Sequence, residues 1–202
     1  MTNSEIRAKA REALGGSIFH NNWLITLLAV FVISAVNTFA ASLSMGVLAL
    51  LITGPISVGL ATALLRQSDT GEGLKFDLLL DGFRKDFAGS FLLALMQTLF
   101  VMLWSLLLLI PGIVKAYAYS MAFYIKAEKP QYTWRECLDE SRKIMHGNKL
   151  KYFGLQLSFI GWMIVGALCF GIGTFWVSAY MEAAGAEFYK SIRINDAVVV
   201  DD

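Results

Sequence analysis

Of 202 residues, 56% are hydrophobic and 16% charged, with a mean hydropathy of +0.58, whereas a soluble globular chain carries about 25% charge. Seventeen basic and sixteen acidic residues leave a formal net charge of +1, which excludes a global field that would hold the chain on nucleic acid. Two cysteines, Cys137 and Cys169, with no CxxC spacing, supply neither a disulfide framework nor a zinc knuckle.

The charges are segregated along the chain. Residues 23–65 contain no Asp, Glu, Lys, Arg or His, residues 87–125 contain only Lys115, and residues 152–181 contain none. A membrane-crossing helix needs roughly 20 apolar residues, so each block is too long for one helix and suits two joined by a tight turn. The expected fold is therefore all-α: a polytopic membrane protein of six transmembrane helices in three hairpins, at about 23–65, 87–125 and 152–186.

In chain order, a first amphipathic surface helix is expected over about 4–18, capped by Ser4, with Ile6, Ala10, Ala13 and Leu14 on one stripe and Glu5, Arg7, Lys9 and Arg11 on the other. Spans follow at 23–42 and 47–65, with Gly46 or Gly54-Pro55 as the break; Pro55 can instead kink the second span. A second surface helix is expected over 74–86, where Phe76, Leu79, Leu80 and Phe83 oppose Asp77, Asp81, Arg84 and Lys85, and Asp81 pairs with Lys85. Spans at 87–109 and 113–125 are separated by Pro111-Gly112. The third surface helix, about 133–146, carries a capping box of Thr133 and Glu136, an apolar face of Trp134, Cys137, Leu138, Ser141 and Met145, and an Asp139–Lys143 pair. Spans at 153–170 and 174–186 flank Gly171-Ile172-Gly173, and 195–202 is expected to be a disordered tail after a single domain over 1–194. The breaks at Gly54, Gly112 and Gly173 recur at near-equal spacing, as an internal repeat would.

The hairpin turns carry no Lys or Arg, so both termini and sixteen of the seventeen basic residues share one face, which the positive-inside rule assigns to the cytoplasm. The expected location is the cell membrane, multi-pass, with membrane lipids as partners, a protein partner at the cytoplasmic face and no nucleic acid.

Candidate functional residues each have a plainer alternative. Lys115 is the one charge within a block, a ligand or ion contact by default, or an anchor that snorkels to the outer surface or sits over Tyr119. Tyr117, Tyr119, Ser120 and Tyr124 on the fourth span, and Tyr180, Glu182 and Tyr189 on the sixth, either line a polar cavity or bond to neighbouring backbone. Gly154, Ser158, Gly161 and Gly166, and Ala179 with Ala183, form small-residue faces for close helix packing. The pair Asp77 and Asp81 has nothing nearby to complete a metal site, and His20 and His146 stand at helix ends. No hydrolase, metalloprotease, P-loop or dinucleotide motif is present, and no cofactor is implied.

The runs Leu109–Tyr117 (LIPGIVKAY), Tyr119–Ala122 (YSMA), Glu140–Lys149 (ESRKIMHGNK), Leu155–Trp162 (LQLSFIGW) and Gly171–Gly173 resemble the bacterial integral-membrane family known as domain of unknown function 975. That family is similar, more distantly, to the membrane domain attached to some glycerophosphodiester phosphodiesterases. The resemblance implies a six-helix bundle with a lipid connection and marks Lys115 and the Ser141-Arg142-Lys143 segment; no phosphodiesterase catalytic domain is read in these residues. The leading expectation is a non-enzymatic membrane module that organises a lipid or protein partner through its surface helices, with Trp134, Arg142 and Lys143 at the contact. The alternatives are a small permease of export or immunity type, with its cavity between the fourth and sixth helices, and a lipid-active enzyme.

Overall fold

A computed structural model describes residues 2–14, 23, 25–31, 33–34, 46–71, 75–107, 109–168 and 172–200, with side chains omitted at 46–50, 107, 109, 167–168, 172 and 194–200. All regular structure among the described residues is helical. The helices are α1 (Asn3–Ala13), α2 (Gly46–Thr70), a 3-10 turn (Phe76–Leu80), α3 (Asp81–Arg84), α4 (Phe87–Leu107), α5 (Leu109–Tyr119), α6 (Ala122–Glu128), α7 (Trp134–Ile144), α8 (Lys149–Leu168) and α9 (Ile172–Val200); residues 23, 25–31 and 33–34 are also helical. The chain divides into two units. The first comprises Met1–Val36, Ala63–Phe76 and Leu150–Asp202, and the second Asn37–Thr62 and Asp77–Lys149.

In the first unit, α1 begins at a capping box formed by Thr2 and Glu5, not at Ser4. Thr2 is extended and finds its reciprocal carboxylate three residues on, whereas the residue three beyond Ser4 is Arg7. The helix ends at Ala13 with Leu14 as its C-cap, short of the expected residue 18, because Gly15-Gly16 follows. Its stripe of Ile6, Ala10 and Leu14 is buried and packs on α9. The buried Gln67 binds both neighbours: its Nε2 donates to the Ala13 carbonyl at 3.3 Å, and its Oε1 accepts from Thr26 Oγ1 at 3.3 Å. Tyr180 Oη donates to the Arg7 carbonyl at 2.9 Å while its ring meets Phe159 edge-on at 5.0 Å. Thus the Tyr180 hydroxyl is satisfied by neighbouring backbone.

Gly166 and Gly173 approach so closely that a Cβ on Gly166 would lie 2.8 Å from the Gly173 carbonyl carbon, which holds the end of α8 against the start of α9. Ala179 and Ala183 are buried as a packing face requires, but Gly161 is exposed with nothing near its Cβ position, so it takes no part in one. The last helix continues to Val200, past the expected end near Ala186 and through most of the segment expected to be disordered. No Gly or Pro interrupts 187–200, and Phe188, Tyr189 and Ile192 are buried along it.

In the second unit, Pro55 lies inside the continuous helix α2, so Gly54-Pro55 does not start a new span. Close backbone packing surrounds this part of α2. A Cβ on Gly54 would come 2.6 Å from the Ser90 carbonyl of α4, one on Gly59 would collide with the Leu79 carbonyl, and one on Gly82 with the Pro55 carbonyl. The expected second surface helix is instead a 3-10 turn followed by one turn of α-helix. The tighter winding buries Leu78 and leaves Phe76 and Leu80 exposed, displacing the predicted stripe.

α5 begins at Leu109, so Pro111-Gly112 sits within its first turn, where a missing N–H costs nothing, instead of separating two spans. The expected fourth span is broken at Ser120-Met121 into α5 and α6; Ser120 Oγ bonds back to the Tyr117 carbonyl at 2.9 Å.

Gly59→Ala is expected to lower stability by about 1–3 kcal/mol, the cost of overpacking a tight contact, because its Cβ meets backbone that has no rotamer to change. A fall in unfolding temperature of the purified protein checks this, with Gly161→Ala, in open space, as the neutral control.

Candidate functional site

The α4–α5 hairpin starts on an ion pair whose lysine is buried and whose carboxylate reaches solvent. Asp86 precedes α4 and caps it, its Oδ1 accepting from the Gly89 N–H at 2.8 Å. Its Oδ2 receives the ammonium of Lys126 at 2.5 Å. Lys126 is only 2% exposed and also donates to the carbonyls of Pro130 and Tyr132 at 2.8 and 2.6 Å. All three ammonium hydrogens are therefore directed at oxygen. One side chain from α6 thereby fixes the start of α4 and the loop that leads into α7. Burial would raise the Asp86 carboxyl, but the Lys126 ammonium and the Gly89 N–H more than offset it and hold the group below the usual carboxylate range.

The loop delivers α7, whose capping box of Thr133 and Glu136 forms as the sequence predicts. Thr133 backbone and hydroxyl bonds hold the Glu136 carboxyl below its ordinary value. The face of Cys137, Leu138, Ser141 and Met145 is buried, against α4 and α5 rather than against solvent or a separate partner. Ser141 Oγ donates to the Ala118 carbonyl at 2.8 Å, and the Trp134 and Tyr119 rings lie 6.3 and 6.4 Å from that of Phe100. Burial pushes the Cys137 thiol up to about 11, so it is protonated and unreactive near neutral pH.

Packing the apolar face inward leaves α7 presenting its charges. Arg142 and Lys143 are exposed, and Asp139 pairs with Arg142 at 3.2 Å rather than with Lys143, because the Arg142 guanidinium reaches it at i+3. The Asp81–Lys85 pair forms as expected, at 2.8 Å.

Lys115 lies over neither Tyr119 nor open solvent. Its ammonium sits 4.8 Å above the Trp104 ring of the preceding helix, an arrangement that the close contact between Gly112 and Ser105 allows by drawing α4 and α5 together. α7 packs on α5, with Ser141 against the Ala118 carbonyl, so Arg142 and Lys115 stand on adjoining helices. Beside them the hairpin tip is apolar and uncovered: Met102 is 67% exposed, Leu106 82% and Ile110 76%.

Tyr119 is buried and Tyr117 half-buried on α5, while Glu182 is exposed on α9 in the first unit. The structure therefore brings Lys115, Tyr119, Trp134 and Arg142 together in one unit. Lys126 and Asp86 escaped sequence reasoning. The available signal was position, since each is the first charge outside the 87–125 block at either end.

A family model described as "Protein of unknown function (DUF975)" matches residues 1–117 and, in an overlapping second stretch, 106–196. No curated protein and no solved structure matches the chain.

Asp86→Ala would leave the buried Lys126 ammonium with two carbonyls and no counter-charge, at a cost of about 1.5–3 kcal/mol, the worth of a hydrogen bond to a charged group. Asp86→Asn, which keeps an acceptor for the cap, is expected to lose less, and unfolding temperatures rank the two. Asp86 and Glu136 both have folded values below their unfolded ones, so their stabilisation is complete above the ordinary carboxylate range and disappears as pH falls through it. Unfolding temperature should fall on acidification below about pH 4, and by less in Asp86→Asn.

Proposed function

The chain belongs to that family of unknown function, and we propose that it is a multi-pass protein of the cell membrane that holds an anionic partner, foremost a lipid headgroup, at a cationic face. The observation that carries this reading is the packing of α7 on α5, joined by the 2.8 Å bond from Ser141 to the Ala118 carbonyl, which sets Arg142 and Lys115 on adjoining helices beside the uncovered apolar tip of α4 and α5. Clustered cations repel one another, and an anion between them relieves the repulsion. An apolar surface next to them is what acyl chains cover. Trp104, beneath Lys115, has the amphipathic ring favoured at the membrane–water boundary.

Membrane insertion has further support. Among the described residues one helix, Phe87–Leu106, is long and apolar enough to cross a bilayer, and only 17% of its most apolar window is buried, unlike the core helix of a soluble domain. On α8, Leu157, Trp162 and Ile164 are each more than half exposed. In this reading the three charge-poor blocks form hairpins inserted from the cytoplasmic side, which holds both termini; because α7 packs on α4 and α5, the α4–α5 hairpin enters the bilayer tip first from the face that carries Arg142 and Lys149. The chain acts as a non-enzymatic module, and α1 and α7 turn their charged faces outward. The resemblance to the membrane domain of some glycerophosphodiester phosphodiesterases agrees with a lipid partner.

Reversing two exposed charges, Arg142→Glu with Lys143→Glu, tests the reading. Surface substitutions of this kind change stability by about 0.5 kcal/mol or less, so the protein should purify normally. Native mass spectrometry from nanodiscs containing phosphatidylglycerol should show the retained anionic lipid at least halved. Undiminished retention would contradict the proposal.

A further inference from the structure

The first unit contains a polar cavity that the cationic face does not involve. It has a volume of about 530 Å³ and lies where α1, the end of α2 and the C-terminal part of α9 meet. Its charged lining among the described residues is Lys9 and Glu12 from α1, Asp69 from α2, and Glu187, Lys190 and Arg193 from α9. Sequence reading gave Lys9 only a place on the polar stripe of α1 and singled out none of the others.

The inner wall is built. Glu187 is 7% exposed and its carboxylate accepts from the Ser68 hydroxyl. Ser68 Oγ in turn accepts from Lys190 Nζ at 2.7 Å, and Lys190 also pairs with Asp69. A carboxylate, a hydroxyl, an ammonium and a second carboxylate therefore follow one another along the wall, each fixed by the next. Lys9, Glu12 and Arg193 stand exposed at the rim.

Three cations and three carboxylates give the lining no net formal charge. An apolar occupant would desolvate these groups without replacing their hydrogen bonds. A single ion of either sign would meet like charges in the lining as well as opposite ones. A zwitterion meets both signs at once. The volume lies within the range of small-molecule sites, and is ample for a polar headgroup. Arg193 supplies a guanidinium, whose planar fork suits phosphate oxygens.

We propose that this cavity binds an ammonium–phosphate zwitterion of the phosphoethanolamine type, its ammonium directed to Glu187 and Glu12 and its phosphate to Arg193 and Lys9. The site could draw this group from a membrane lipid or from a free phosphoester; only the lipid source rests on the membrane reading.

Calorimetric titration of the full-length protein in detergent with phosphoethanolamine should give saturable binding, at least tenfold tighter than with ethanolamine or inorganic phosphate. Lys9→Gln and Glu12→Gln, at exposed positions that leave the fold intact, should each weaken it several-fold, and Glu187→Gln should weaken it more. Absence of saturable binding, equal affinity for either half of the zwitterion, or rim variants that bind like the parent would overturn the proposal. In nanodiscs, competition of phosphatidylethanolamine with free phosphoethanolamine, but not of phosphatidylglycerol, assigns the lipid source. Binding of the free compound without lipid competition supports a soluble ligand, and so holds the site while removing the lipid source. Loss of zwitterion binding with anionic-lipid retention intact would refute this site alone.

Discussion

Exposed apolar surface is the constraint from which the rest of this molecule follows. Leu106, Ile110 and Met102 lie almost uncovered at the tip of one hairpin, and Leu157, Trp162 and Ile164 along α8. In water each such side chain forgoes roughly 1.5–3 kcal/mol of available burial, and a continuous patch of them would associate. A hydrocarbon environment removes that cost, but it imposes another, since every backbone group must then be satisfied within the helices. The charge-poor blocks, with Lys115 their one charge, and the helical backbone suit that proposed setting.

Charge is arranged to complement this. Lys126 is drawn inward to one carboxylate and two carbonyls at the start of the hairpin, and is a structural lock. Lys115 and Arg142 instead stand on packed helices, α5 and α7, like charge beside like charge. Such a cluster is unfavourable by itself and becomes favourable with an anion present, which is the physical basis of the proposed partner. In the first unit, α1 uses its apolar stripe to attach to α9 and its charged stripe to edge a polar cavity. The amphipathic helices therefore spend their apolar faces on internal packing and leave their polar faces for recognition.

Much of this was legible in the residue pattern. The all-helical character, the capping box at Thr133 and Glu136, the buried face of α7 and the Asp81–Lys85 pair follow from local rules that tertiary packing reinforces. Where the sequence misled, backbone proximity was responsible. Gly54, Gly59 and Gly82 are packing glycines, and composition alone reads them as breaks or as nothing. Tyr119 seemed the natural partner for Lys115 at helical spacing, yet Trp104 from the neighbouring helix holds it, a pairing that depends on the hairpin register. The cavity was illegible for the same reason: Glu12, Asp69 and Glu187 are far apart in the chain and look like ordinary surface charges one by one.

The most direct test of the account is the medium around the hairpin tip. A nitroxide attached at Leu106→Cys, in full-length protein with Cys169 replaced by serine and reconstituted into vesicles, reports collisions with oxygen, which concentrates in hydrocarbon, and with a polar nickel chelate, which stays in water. The account predicts frequent oxygen and rare nickel collisions at 106, and the opposite at Lys143→Cys on the exposed face of α7. Ready access of the nickel chelate to position 106 would place the apolar tip in water and contradict the membrane reading.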